Sequence, residues 1–421
     1  MLLKAFKSKD LRGKILFTLI IIAIFEIGAS IPVPGIDRTV LADMFSGENS
    51  GAFELFNMFT GGAFSNFTIF ALGVTPYITA SIIIQLFSIS VPRIEQMSQE
   101  GETGRKKMAT ITRYLAVLMG FLQAAGITFG LFRNAITGNS ALTNVSILFL
   151  LTAGMTILMW MGEQINEYGI GNGISIIIFA SIANRLPIDV KNIALAVREG
   201  SISFVTLALI IAFAIFVIIV VIEMNEGVRK IPIQYANRLS GRRLMGNKNT
   251  HLPIKANTAG VIPIIFSLSI LQFIMMFATF FPNSGYGKVV GKWLSMNQTP
   301  GVYVYAILNF LMIVGFTYFY TSIIFKPDEV SKNLASSGAT IPGIRPGKQT
   351  RNYLGFTSNR LCFSSGIFLG LISSLPVLTG AFSPLNLSFG GTSILILVGV
   401  IIDTKKQLES RLVLEHNYSL F

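Results

Sequence analysis

The chain has 421 residues, 52% hydrophobic and only 13% charged, with a mean hydropathy of +0.65. Soluble domains carry roughly 25% charged residues, so much of this surface faces lipid rather than water. A single cysteine, Cys362, excludes an intramolecular disulfide framework, and two histidines, His251 and His416, exclude a Cys/His zinc site. Neither His-Glu-x-x-His nor Gly-x-Ser-x-Gly occurs. PGIRPGKQT at 342–350 misses a Walker A, because Pro342 stands where Gly is needed and Gln349 where Ser or Thr is needed. No catalytic, metal or cofactor site is expected.

A membrane span needs ~20 mainly apolar residues to cross ~30 Å of hydrocarbon. Such runs fall at about 15–34, 72–90, 108–132, 144–162, 171–187, 203–222, 258–281, 302–324, 361–378 and 389–403. The first has a charged flank like a signal peptide but lacks an A-x-A-like cleavage site, so it is expected to be a retained helix. An even span count puts both termini on one side. The N-terminus, the even loops and the tail carry 26 of the 33 Lys and Arg; the odd loops carry 7. The positive-inside rule then places both termini in the cytoplasm. The net charge of +13 sits on one face, where it orients the chain and attracts anionic lipid.

Before the second run, 51–70 (GAFELFNMFTGGAFSNFTIF) is aromatic and apolar but broken by Gly61, Gly62, Ser65 and Asn66. A re-entrant segment fits, since irregular backbone at membrane depth survives only where protein or water surrounds it. Loop 223–257 has a strand-like Ile/Pro/Tyr mix over Val228 to Tyr235, then Gly241 as a turn before Arg242 and Arg243. In loop 325–357, Pro342 and Pro346 forbid helix while Gly343 and Gly347 permit tight turns. A stiff tip bearing Arg345 is expected, suited to capture of a carboxylate or phosphate, or simply a solvated turn.

Transporters usually keep ionisable groups in mid-membrane. Here Glu26 alone lies in the middle of a run, with Glu163, Glu223, Arg360 and Asp403 at the edges. A proton relay is therefore not expected, and Glu26 reads as pairing helices or facing a cavity. Ile174 and Ile178 are four apart, on one helical face. The clearest internal signal is Gly-Val-x-Pro, at 73–76 and again at 260–263. Each opens the second run of a five-run half. Odd counts per half make such a repeat inverted in the membrane, and interrupted helices at matched positions point toward a translocation path.

The ordered stretches IPVPGID (31–37), FNMFTGGAFSNFTIFALGVTPYITASIIIQL (56–86), QEGETGRKKM (99–108), WMGEQINEYGIGNGISIIIFA (160–180), THLPIKANTAGVIP (250–263), YFYTSIIFKPDEVSKNLASSGATIPGIRPGKQT (318–350) and FGGTSILILVG (389–399) resemble the SecY family over essentially the whole chain. The resemblance implies an all-α polytopic membrane protein, with ten transmembrane helices in two inverted five-helix halves around a central hourglass pore. The halves would be 1–187 and 203–421, joined by an external hinge at 188–202. The implied function is a protein-conducting channel that passes unfolded chains across the bacterial cytoplasmic membrane and releases membrane helices through a lateral gate. That gate would open between spans two and three on one side and seven and eight on the other.

The implied pore ring is Val74, Ile78, Ile174, Ile178, Ile265 and Ile396. The implied plug, about 53–66, includes Phe53, Leu55, Phe56, Met58, Phe59, Gly61, Gly62 and Phe64. Arg242, Arg243, Arg345 and Lys348 fall on loops that would meet a SecA motor ATPase or the ribosome. SecE-like and SecG-like small subunits, signal sequences, nascent polypeptides and anionic lipids are the further partners, with no direct nucleotide binding and no cofactor. Many relatives carry a basic residue where this chain has Glu26. The competing reading is a secondary transporter of a small solute built on the same inverted repeat, which would need a polar mid-membrane site.

Overall fold

The computed structural model describes residues 8–37, 39–41, 57, 60–137, 140–200, 203–235, 250–281, 284–294, 300–382 and 391–418. Helices dominate it. They are α1 (Lys9–Ala29), α2 (Thr75–Ser90), α3 (Pro92–Gln99), α4 (Glu102–Gly126), α5 (Ala141–Tyr168), α6 (Gly173–Arg198) and α7 (Phe204–Glu226). After a pair of strands come α8 (Ile262–Phe280), α9 (Gly285–Trp293), α10 (Gly301–Ile324), α11 (Pro327–Ser336), α12 (Lys348–Phe382) and α13 (Gly391–Tyr418). Side chains at the entry points stop the chain from fraying. Ser8, Ser140, Asn172, Ser203 and Ser284 each accept a hydrogen bond from a first-turn N–H of the helix they precede.

Each of the ten apolar runs coincides with a helix among the described residues: α1, α2, α4, α5, α6, α7, α8, α10, α12 and α13. Five helical stretches there are long and apolar enough by themselves to cross a bilayer. Helix α6 extends to Arg198 past Pro187, so the segment expected to serve as a hinge, 188–202, begins as helix. Helix α12 starts well before its apolar run, and α13 continues well beyond its own, because both have charged amphipathic ends outside the hydrocarbon.

The two shorter apolar helices are Thr75–Ser90 and Ile262–Ala278. They are the helices that open on Gly-Val-x-Pro. At 1.5 Å per residue α2 is about 24 Å long, short of the ~30 Å hydrocarbon core. The irregular segment 60–74 directly precedes it.

That segment satisfies its own polar backbone. Phe64 N–H donates to Thr60 Oγ1 (3.1 Å), Ser65 N–H to Asn57 Oδ1 (3.1 Å) and Thr68 N–H to the Ala63 carbonyl (2.9 Å). It is strapped to the end of α1 by Val33 N–H to the Phe67 carbonyl (2.9 Å) and Ile69 N–H to the Ile31 carbonyl (3.1 Å). The IPVPGID stretch is thus a brace for the broken segment. Phe67 has φ +44°, which costs a non-glycine residue about 1–2 kcal/mol. Burial holds it there, with its ring edge-on to Phe132 at 5.0 Å.

Strands β1 (Val228–Tyr235) and β2 (Thr250–Lys255) form an antiparallel pair running from Val228↔Lys255 to Ile233↔Thr250. A short β3 (Ala339–Thr340) adds to the other edge of β1, through Gln234↔Thr340 and Tyr235↔Ala339. The strand-like reading of 228–235 holds. The sheet also stitches the two long basic loops together, over a small core of Ile231, Ile254, Ile341 and Leu354.

Candidate functional site

The two Gly-Val-x-Pro stretches have the same backbone. Gly73 has φ +57° and Gly260 +64°, a left-handed conformation that glycine adopts without steric cost. The next residue caps a helix in both: Val74 at φ −95°, ψ 2° and Val261 at φ −91°, ψ −6°. Proline then sits in the first turn, where its missing N–H is not needed. The valine carbonyl accepts the first helical bond, from Ile78 N–H at 3.1 Å and Ile265 N–H at 3.3 Å. A four-residue sequence match is therefore a match of conformation.

Both isoleucines point into one apolar cluster. Val74, Ile78, Ile178, Ile265 and Ile396 are 0–5% exposed members of it, and Ile174 packs against it half-buried. The contributors stand near the starts of α2, α6, α8 and α13, so four helices bring aliphatic side chains to one place. All six residues selected from the sequence belong to this large cluster or pack against it. The six side chains are aliphatic and none can ionise. Such a surface offers only dispersion and the exclusion of water.

On one side the cluster opens into a polar cavity of about 700 Å³. Asn166, Asn172, Lys255, Asp403, Lys406 and Arg411 line it, while Val261 and Val400 belong both to its floor and to the apolar cluster. A cavity lined by polar groups thus borders the aliphatic cluster. On another side lies the broken segment. Ala63 is buried in the cluster, and a Cβ on Gly61 would sit 2.9 Å from Ser181 Cα of α6. Phe64 and Phe67 turn instead to Phe132. Gly61, Gly62 and Phe64 are placed in this segment; Phe53, Leu55, Phe56, Met58 and Phe59 lie outside the described residues.

Helix α8 packs against α2 and α4. Its Met276 is buried in an apolar cluster otherwise built from residues between Val33 and Met159, including Ala80, Ala116 and Ala124. The two sets of helices are packed together at this seam. Within the other half, Asn309 is fully buried on α10. It accepts a hydrogen bond from Ser267 of α8 (2.8 Å) and donates to Ser373 of α12 (3.1 Å).

Arg345 is exposed on the tip between β3 and α12, and Lys348 is exposed at the first position of α12. The tip is held from beneath: Thr350 Oγ1 donates to the Arg345 carbonyl (3.0 Å) and Ser331 Oγ to the Gly347 carbonyl (2.9 Å). Arg242 and Arg243 lie outside the described residues. Glu26 accepts a hydrogen bond from Asn184 of α6, which matches the helix-pairing reading. Reading the sequence missed the Asn309 network and the polar row Lys406, Gln407 and Arg411 of α13. The signal available for that row was its string of polar residues directly beyond an apolar run.

A sequence profile of the SecY family matches residues 68–405. Proteins named protein translocase subunit SecY align along the full chain. The one from Halalkalibacterium halodurans is 44% identical, covering 97% of this chain and 96% of that one. The chain belongs to the SecY family. Other SecY relatives include that of Bacillus subtilis, at 42% identity over 99% of this chain and 97% of its own. That of Corynebacterium glutamicum is 41% identical over 99% and 98%. Among solved structures, the chain is similar to one titled as a protein-conducting channel, with a TM-score of 0.71 over 96% of this chain and 93% of that one. Canine Sec61, in a ribosome–channel complex from the endoplasmic reticulum, gives 0.68 over 96% and 93%. At 20–21% identity these two similarities show the fold alone. The fold is that of the SecY/Sec61 channels, and the chain is a multi-pass membrane protein.

Proposed function

We propose that this chain is the pore-forming subunit of a protein-conducting channel; its relatives are named protein translocase subunit SecY. One observation carries the reading. A cavity lined by polar side chains borders an aliphatic cluster to which four helices contribute, with an irregular segment packed against it, and we read the two as a vestibule and its neck. A solute transporter would place polar ligands in that neck. A channel for unfolded polypeptide needs the reverse, because an oily collar grips any sequence and sheds ions by dewetting.

The proposed ring is Val74, Ile78, Ile174, Ile178, Ile265 and Ile396. The proposed plug is the segment around 53–66; in one similar structure, the plug domain of SecY is said to stabilise the closed state and maintain a membrane seal. The two inverted halves are 1–187 and 203–421, with both termini in the cytoplasm and the chain in the bacterial cytoplasmic membrane. Sideways release follows from the α2/α4–α8 seam, where partitioning into lipid is worth ~25 cal/mol per Å² of apolar surface. The channel performs no catalysis and draws its energy from partners. Arg345 and Lys348, with Arg242 and Arg243, would meet a motor ATPase or a ribosome, and SecE-like and SecG-like subunits would cover the exposed apolar faces of α1 and α7.

The test is reconstitution into vesicles with the small subunits and a motor ATPase. Precursor should become protected from added protease, and deletion of 53–66 should raise ion leakage. Solute uptake by this protein alone, without precursor protection, would favour the transporter instead.

A further inference from the structure

We infer that helix α9 is an interfacial foot lying in the headgroup layer of the outer leaflet. Tyr286, Val289 and Trp293 dip toward the acyl chains, and Lys288 and Lys292 bind anionic phospholipid headgroups. The inference rests on the membrane fold and on the orientation proposed above, not on the channel reading.

The position of α9 follows from its neighbours. Helix α8 has 19 residues, about 28 Å at 1.5 Å per residue, close to the hydrocarbon thickness. Only 281–284 separate its end from Gly285, so α9 begins where the hydrocarbon ends. Helix α9 packs on α8 and on α10, which starts at Gly301 and runs back through the membrane. Its underside is fixed to both. Val290 is buried, and Leu294 packs against the cluster of Leu271 and Met275 from α8 with Tyr305 from α10. Tyr286 donates its hydroxyl to the Ile274 carbonyl of α8 at 2.9 Å. The helix is thus a fixed part of the membrane body, not a free arm.

The rest of its surface is sorted by chemistry. Tyr286, Val289 and Trp293 are 45%, 57% and 44% exposed. At 3.6 residues per turn they fall within about 60° of one another. Phe281 and Tyr303, on either side of α9 in the chain, are exposed as well. Tyr and Trp, with an apolar body and a polar tip, collect at membrane–water boundaries. Lys288 and Lys292 stand about 40° apart and about 110° round from the aromatic face, the level of the phosphates when the aromatics face the acyl chains. Lys292 Nζ lies 5.8 Å from the centroid of the Trp293 ring.

The charge selects the ligand. Segment 281–300 contains no Asp or Glu, and among the described residues neither lysine pairs with a carboxylate. Lysines on the outer side also run against the bias that orients this chain. Two of them beside an aromatic rim fit the phosphodiester anion of a glycerophospholipid.

The test uses the full chain assembled with cysteine-free small subunits, in a Cys362→Ser background that removes the one native thiol. Val289→Cys and, separately, Lys288→Cys carry a nitroxide in phosphatidylcholine vesicles with or without about one-third phosphatidylglycerol. The ratio of oxygen to water-soluble nickel-chelate accessibility should be about fivefold higher at 289 than at 288. Phosphatidylglycerol should raise the ratio at 289 about twofold, and Lys288→Gln with Lys292→Gln should abolish that rise. Trp293→Cys repeats the reading at a second position.

Equal ratios at 288 and 289 would put α9 in water. A label immobilised and screened from both reagents would put a protein subunit there instead. Either result overturns the inference, as does a phosphatidylglycerol response that survives the double lysine change. Labelling of Lys288→Cys by an impermeant maleimide from outside spheroplasts should succeed; its failure would remove the outer-leaflet assignment. Precursor translocation in the same vesicles reports on the channel reading separately.

Discussion

Gly73→Ala and Gly260→Ala test whether the repeated Gly-Val-x-Pro is a conformational device or an accident of four letters. Both glycines have φ near +60°, where an L-residue's Cβ crowds the following carbonyl at about 1–2 kcal/mol. For Gly260 the nearest atom to an added Cβ is Asp403 Oδ2 at 3.8 Å, an ordinary contact, so the backbone cost stands by itself. The control is Gly315→Ala on α10. That glycine is helical and an added Cβ meets nothing within 4 Å, so the change is neutral or stabilises by up to about 1 kcal/mol. Identical chemistry should thus have opposite signs at two kinds of site. The assay is the thermal or denaturant midpoint of the purified complex in detergent, with ion conductance of the same variants in planar bilayers. The 73 and 260 variants should lose similar stability, and each should alter resting conductance, because each displaces the isoleucine one turn on. If both behave like Gly315→Ala, the left-handed turns are not required and the matched-bend argument falls.

Asn309→Ala should cost about 2–4 kcal/mol, because it empties a fully buried site and strands the hydroxyls of Ser267 and Ser373. The triple change Asn309→Leu, Ser267→Ala, Ser373→Ala should be milder in the same unfolding assay. Gly154→Ala would put a Cβ 1.9 Å from the Ile69 carbonyl oxygen, a backbone atom that the strap to Ile31 holds. A loss of about 1–3 kcal/mol is expected, with higher ion leakage from the displaced segment. Glu163→Ala removes the exposed 2.6 Å pair with Arg113 and should change stability by less than about 1 kcal/mol. Arg345→Glu should leave the unfolding midpoint unchanged, since the side chain is exposed, while motor-driven translocation falls by about tenfold.

The helices were legible because lipid imposes long apolar runs, and each run found its helix. The β1 strand was legible from its alternating Ile/Pro/Tyr composition. Its pairing with β3 was not, because Ala339–Thr340 is too short to show a period. Nor was the extent of α6, where Pro187 reads as a stop yet falls inside the helix. The repeat was visible as letters, but only φ at Gly73 and Gly260 shows that the letters mean one geometry. The ring residues came from resemblance. Periodicity alone cannot separate an isoleucine facing a neck from one facing lipid, and convergence of α2, α6, α8 and α13 is a property of three dimensions. The contact between α13 and the turn 169–172 was hidden for the same reason: Gln407 and Arg411 look like any solvated helix end until that turn is brought beside them.

The neck is tested most directly by single cysteines, in the Cys362→Ser background, carrying a short crosslinker while a precursor is stalled in transit. The account predicts adducts from Val74, Ile78, Ile174, Ile178, Ile265 and Ile396. It predicts none from Leu209 or Phe216, which are 65% and 62% exposed on the outer face of α7. Absence of adducts at all six ring positions in a channel that still translocates, or equal labelling from α7, would contradict it.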